Sequence, residues 1–82
     1  MLNSGIIELD IHGMNQSQAQ AYIDQYLAKV PNHVYRIRII HGYHGGTGLR
    51  EMIQREYRNY DQVLRMQMGN NPGETLLILR EL

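Results

Sequence analysis

The sequence contains no cysteine. Disulfides and thiolate metal sites are therefore excluded, and the chain is compatible with a reducing compartment. It also lacks a surplus of charge, since eight Lys and Arg balance eight Asp and Glu. With zero formal charge there is no broad basic surface to attract nucleic acid, and any anion must be met by a local patch. No segment approaches the roughly 18 consecutive apolar residues of a membrane span, and "MLNSGIIELDIHG" has no basic region followed by a long apolar stretch. The expectation is a cytoplasmic protein with no membrane association. Eighty-two residues predict one domain over residues 1–82, with a thin core and little material for a large multi-part active site.

What is present is strong patterning. "IIELDI" alternates, with Ile7, Leu9 and Ile11 on one face and Glu8 and Asp10 on the other, as in a strand buried on one side. Gly13 breaks it, and Asn15 or Ser17 can cap a following helix. Ala19, Tyr22, Ile23, Tyr26, Leu27 and Val30 recur at helical spacing until Pro31 and Asn32 end the helix. "YRIRII" is a second strand, with Ile37 and Ile39 opposed to Arg36 and Arg38. Leu49, Met52, Ile53, Tyr57 and Tyr60 mark a second helix from about Thr47 to about Asn59. "VLRMQM" and "TLLILREL" are the third and fourth strands, and the short turn "GNNPGE" makes them an antiparallel pair. The order is βαβαββ, an α/β fold with no internal repeat. Four successive apolar residues, Leu76 to Leu79, place the fourth strand centrally.

This order also positions the chemistry. Helical connections make the first three strands parallel, and right-handed crossovers put both helices on one face of the sheet. Ligands of such sheets gather beyond the carboxyl ends of the parallel strands. Asp10 and His12 end the first strand, and His41 ends the second. After them comes "IIHGYHGGTGLREMI", whose glycines lead into the second helix, where free N–H groups and the helix dipole favour an anion. The loop lacks the Lys of a Walker A loop, and Gly42, Gly45, Gly46 and Gly48 do not fit dinucleotide spacing. What remains is either a flexible turn or a simple phosphate cradle with Thr47 as helix cap and Arg50 in the first turn. The histidines also allow two readings, as acid–base groups with Asp10 orienting an imidazole or a hydrated cation, or as structural residues at strand ends. No compact set of strong ligands predicts a zinc site.

Three stretches then carry a family resemblance. "LDIHG" at 9–13, "IIHGYHGGTGLR" at 39–50 and "GETLLIL" at 73–79 resemble, in order, the motifs of the Smr (small MutS-related) domain. The resemblance implies the two-layer fold of the C-terminal domain of translation initiation factor 3, a four-stranded mixed sheet of order 1-2-4-3 with two helices on one face. It also implies nucleic-acid binding and endonuclease activity, DNA-nicking or RNA-cleaving. The L-D-x-H-G motif falls on Leu9, Asp10, His12 and Gly13. The H-G-x-G-x-G segment begins at His41 and Gly42 and rejoins at Thr47, Gly48, Leu49 and Arg50. Between them this chain departs from the pattern: it reads Y-H-G-G, one residue longer, without the basic residue common after the first His-Gly.

The leading expectation is a stand-alone domain that binds nucleic acid and cleaves phosphodiester bonds. Asp10, His12 and His41 are its candidate catalytic residues. Gly42, His44, Gly45, Gly46, Thr47, Gly48 and Arg50 are candidate phosphate contacts, with Arg36 and Arg38 auxiliary. A divalent cation such as magnesium is the candidate cofactor. The competing class is a non-catalytic module binding nucleic acid, ribosome or protein. An enzyme for small phosphorylated molecules is disfavoured by the short chain. The sheet face away from the helices, carrying Ile40 and half of the fourth strand's aliphatic residues, is expected to expose apolar area for a weak homodimer or a protein partner.

Overall fold

The computed structural model describes residues 5–43 and 48–81. The elements follow in the order β1 (Ile6–Asp10), α1 (Gln16–Leu27), β2 (Arg36–Ile40), α2 (Gly48–Tyr57), β3 (Arg65–Met68) and β4 (Glu74–Ile78). They build one four-stranded sheet of order β1-β2-β4-β3. β1 runs parallel to β2, while β4 is antiparallel to both of its neighbours. The expected topology is therefore found, with β4 central. β4 is shorter than its apolar run, because Ile78 is the last position with partners on both sides, Arg36 on β2 and Arg65 on β3.

α1 starts where the local chemistry supplies a cap. The Asn15 side chain accepts from the Gln18 amide at 2.7 Å, and the Gln18 side chain accepts from the Asn15 amide at 3.1 Å, a reciprocal capping box. Ala19, Ile23 and Leu27 of α1 and Met52, Ile53 and Tyr57 of α2 are buried against Leu9, Ile11, Ile37, Ile39 and Leu77 of the sheet side. Tyr22, on the edge of the apolar stripe, remains exposed.

The helices are also joined through a polar contact. Tyr57 is fully buried, and its hydroxyl donates to the Asp24 carboxylate at 2.6 Å, with the Gln20 carbonyl 3.1 Å away. Burial, and then the hydrogen bond to Asp24, hold the phenol proton well above its ordinary pKa. Replacing Tyr57 with Phe keeps the packing and removes this bond. Thermal unfolding should report a loss of about 1–2 kcal/mol, since a hydrogen bond to a charged acceptor contributes slightly more than a neutral one. An unchanged midpoint would show that the Tyr57–Asp24 contact does not hold the helices together.

The sheet face away from the helices does not present the apolar area expected of it. Leu76 and Ile78 are only 7% and 1% exposed. Their cross-strand neighbours are Arg38 and Arg36 on β2 and Gln67 and Arg65 on β3, whose aliphatic stems can lie over apolar surface while their polar ends reach water. The large apolar side chains left in water include Leu64 and Met68, on and beside the edge strand β3.

Candidate functional site

β1, β2 and the starts of both helices enclose a cleft of about 810 Å³. Among the described residues it is lined by Asp10, His12, Gly13, Met14, Asn15, Gln16, Ile40, His41, Gly42, Tyr43, Gly48 and Leu49. The two short motifs, about thirty residues apart in the chain, thus meet because β1 and β2 are adjacent and parallel, ending side by side with Asp10 opposite Ile40. Gly13 and Gly42, with φ of 85° and 76°, turn the chain immediately after the two histidines. Any other residue would be strained there, so both turns depend on glycine.

Asp10 and His12 form a defined pair. Asp10 Oδ1 accepts the His12 backbone N–H at 3.2 Å and the His12 ring Nδ1–H at 2.5 Å. The carboxylate therefore selects the tautomer and leaves Nε2 as the nitrogen that can meet a ligand. The His12 side chain is 70% exposed. Its hydrogen bond to Asp10, reinforced by the carboxylate's charge, raises the imidazole pKa above the ordinary 6.5, and the same bond lowers that of Asp10 below 3.8. The shift favours the imidazolium, the form that can donate a proton from Nε2.

No Lys or Arg lines the cleft among the described residues. The exposed side chain there that can supply positive charge is His12, so anion binding should be strongest where it is protonated and weaken as pH rises through its raised pKa. NMR titration of the His12 ring is expected to give a midpoint above 6.5, and Asp10→Asn should move it back toward 6.5. A wild-type midpoint at or below 6.5 would contradict the pairing.

His41 is placed differently. It is 5% exposed. Nδ1–H donates to the Gly42 carbonyl at 2.8 Å, and Nε2 lies 2.9 Å from Thr75 Oγ1. A carbonyl can only accept, so Nδ1 carries a proton, while Nε2 is paired with the Thr75 hydroxyl. Both nitrogens are engaged within the fold. His41 ties the end of β2 to β4 beneath the glycine turn, and its geometry is that of an anchor.

The other candidate residues separate. Gly42 and Gly48 line the cleft, whereas His44, Gly45, Gly46 and Thr47 lie outside the described residues. Arg50 is exposed on α2 and borders a second depression with Gln54, Arg58, Met66 and Glu74. Arg58, in the turn directly after α2, went unnoticed in the sequence. Arg38 is paired with Glu8 at 3.0 Å and lies 3.8 Å from Glu74, so much of its charge is compensated by neighbouring strands. Arg36 lies over the Tyr35 ring at 5.5 Å. Both arginines are on the open sheet face rather than in the cleft.

Also missed in the sequence were Tyr43, Met14 and the α1 start at Asn15 and Gln16, which complete the cleft wall. The cap signal at Asn15 was legible, but its proximity to the second glycine turn was not. Among the described residues no three His, Asp or Glu side chains converge as a metal cage. The carboxylate lining the described cleft is that of Asp10, a single oxygen donor of the kind that holds a hydrated cation. No helix among the described residues is long and apolar enough to cross a membrane.

Comparison with known proteins agrees with the fold. The family model of the Smr domain matches residues 9–75. Among solved structures, the crystal structure of the Smr domain of Thermus thermophilus MutS2 superposes with a TM-score of 0.82 at 25% identity, covering 92% of this chain and 99% of that one. No curated protein sequence matches significantly.

Proposed function

This chain belongs to the Smr domain family, and from that membership and the shape of its cleft we propose that it binds nucleic acid and hydrolyses phosphodiester bonds. The observation that carries the reading is the Asp10–His12 pair, an exposed imidazole oriented by a carboxylate between two helix starts. A phosphate in the cleft meets the amino-terminal turns of α1 and α2. The capping box uses the Gln18 amide and leaves those of Gln16 and Ser17 outside it. In this reading Arg50 and Arg58 meet the nucleic-acid strand outside the cleft.

In the reaction, His12 Nε2 takes the proton of the attacking hydroxyl, which belongs to water or to a ribose 2′-position. The new phosphorus–oxygen bond forms as the bond to the leaving oxygen breaks, and the leaving oxygen takes a proton from solvent or from the imidazolium. Asp10 stabilises that imidazolium and holds the ring. A divalent cation such as magnesium would be held by the Asp10 carboxylate and would supply charge neutralisation at the phosphoryl group.

One observation favours a second reading. With both nitrogens of His41 engaged, the described cleft holds one acid–base histidine rather than two, an arrangement that suits binding without turnover. The experiment that separates the readings is incubation of the purified protein with labelled RNA and DNA, with magnesium or with EDTA, beside Asp10→Ala and His12→Ala. Cleavage lost in both variants supports the hydrolase. Binding without cleavage supports the module, and cleavage persisting in both variants overturns the assignment of this cleft.

A further inference from the structure

Tyr43 is the aromatic side chain of the cleft wall, and it is 48% exposed. The chain's six aromatic residues are all tyrosines, and they are used differently: Tyr57 is buried in the core with Tyr60 packed against it, whereas Tyr43 is presented at the cleft.

Its position is set by backbone rather than by a free loop. The Gly73 carbonyl receives the amides of His41 at 2.9 Å and Gly42 at 3.0 Å, fixing the two residues before Tyr43 against the β4 turn. Gly73 itself lies against the ring, since a Cβ added there would come within 2.9 Å of Tyr43 Cδ1 and 3.3 Å of Gly42 Cα. On the other side, a Cβ added to Gly42 would lie 3.7 Å from His12 Cβ. Tyr43 is thus the chain neighbour of a glycine that lies near His12.

Electrostatics narrows what such a ring can serve. The chain has zero formal charge, and no Lys or Arg lines the cleft among the described residues. Duplex nucleic acid presents mainly phosphate charge, with its bases stacked on each other, and such a surface has little to attract it here. An unpaired base offers a π-face to an aromatic side chain, and that contact needs no surplus charge. Met14, Ile40 and Leu49 extend the apolar wall beside Tyr43, and about 810 Å³ lies within the usual range of small-ligand clefts.

We propose that Tyr43 is a stacking platform for an unpaired base, so that the cleft takes single-stranded rather than duplex nucleic acid. This rests on the nucleic-acid reading above. A base on Tyr43 brings its adjoining phosphate toward His12, which couples base capture to the Asp10–His12 pair.

The test is fluorescence anisotropy with labelled single-stranded RNA and DNA oligonucleotides of mixed sequence and with the corresponding duplexes, using the full chain. Wild type should bind single strands at least about tenfold more tightly than duplexes. Tyr43→Ala should weaken single-strand binding by about 5- to 150-fold, the loss that removing one base stack brings, and leave duplex binding unchanged. Tyr43→Phe should retain the preference, whereas Tyr43→Leu, which keeps apolar bulk without the flat ring, should lose it. Circular dichroism of each variant establishes that it is folded. Equal wild-type affinity for single strands and duplexes, or equal losses on both in Tyr43→Ala, overturns the stacking proposal while leaving nucleic-acid binding intact. Failure of every strand to bind overturns both.

Discussion

His12→Ala is expected to slow phosphodiester cleavage by about a hundredfold to ten-thousandfold, the range that one positioned acid–base group contributes, while the thermal midpoint stays in place. The second half follows from exposure. The His12 side chain is 70% in water, so its removal opens no cavity and leaves no buried group unpaired. Asp10→Ala should lower cleavage as well, because Oδ1 holds both the ring Nδ1–H and the backbone N–H of His12. Without it, neither the tautomer nor the ring position is selected. Single-turnover cleavage measured beside thermal unfolding checks both halves. Undiminished cleavage by folded, contaminant-free His12→Ala would remove the residue from the mechanism.

His41→Ala is expected to do the reverse. The ring is buried, and its loss strips partners from the Gly42 carbonyl and the Thr75 hydroxyl while opening a void under the glycine turn. Unpaired buried polar groups cost about 1–3 kcal/mol each and large-to-small core changes about 2–5 kcal/mol. These costs overlap, and a total of about 2–4 kcal/mol is expected, enough to move the thermal midpoint of so small a domain by roughly ten degrees or more. At temperatures where the variant remains folded, its cleavage should stay within about tenfold of wild type, less than the loss of an acid–base group would give. A variant of normal stability that has lost cleavage more than a hundredfold would make His41 a catalytic residue instead of an anchor.

The contrast between these histidines shows where sequence reasoning reaches its limit. Each ends a parallel strand, each precedes a glycine, and each falls on a motif of the same family, so in one dimension they look alike. His12 could be read further, because its partner Asp10 is two residues away and alternation keeps both on one side of the strand. His41 could not, because its partner Thr75 is 34 residues distant, and only the pairing of β2 with β4 brings them together.

Element order, the central place of the apolar fourth strand and the convergence of Asp10, His12 and Gly42 at one end of the sheet followed from the sequence itself, whereas the full sheet order was what the family resemblance implied. Alternating and helical spacings, crossover handedness and the apolar fourth strand are local or topological signals, and each points to the same arrangement. Other features depended on register and on which way a helix is turned. Arg38 was an available cation in the sequence, but β1 and β4 bring Glu8 and Glu74 beside it. Leu76 and Ile78 were an exposed patch until Arg36, Arg38, Arg65 and Gln67 took their places as cross-strand neighbours. Arg50 begins the right helix, yet it borders the depression beside β3. A side chain's type and period are written in the chain, whereas its burial and its partners depend on contacts between segments remote in sequence, and these exist only once the sheet has formed.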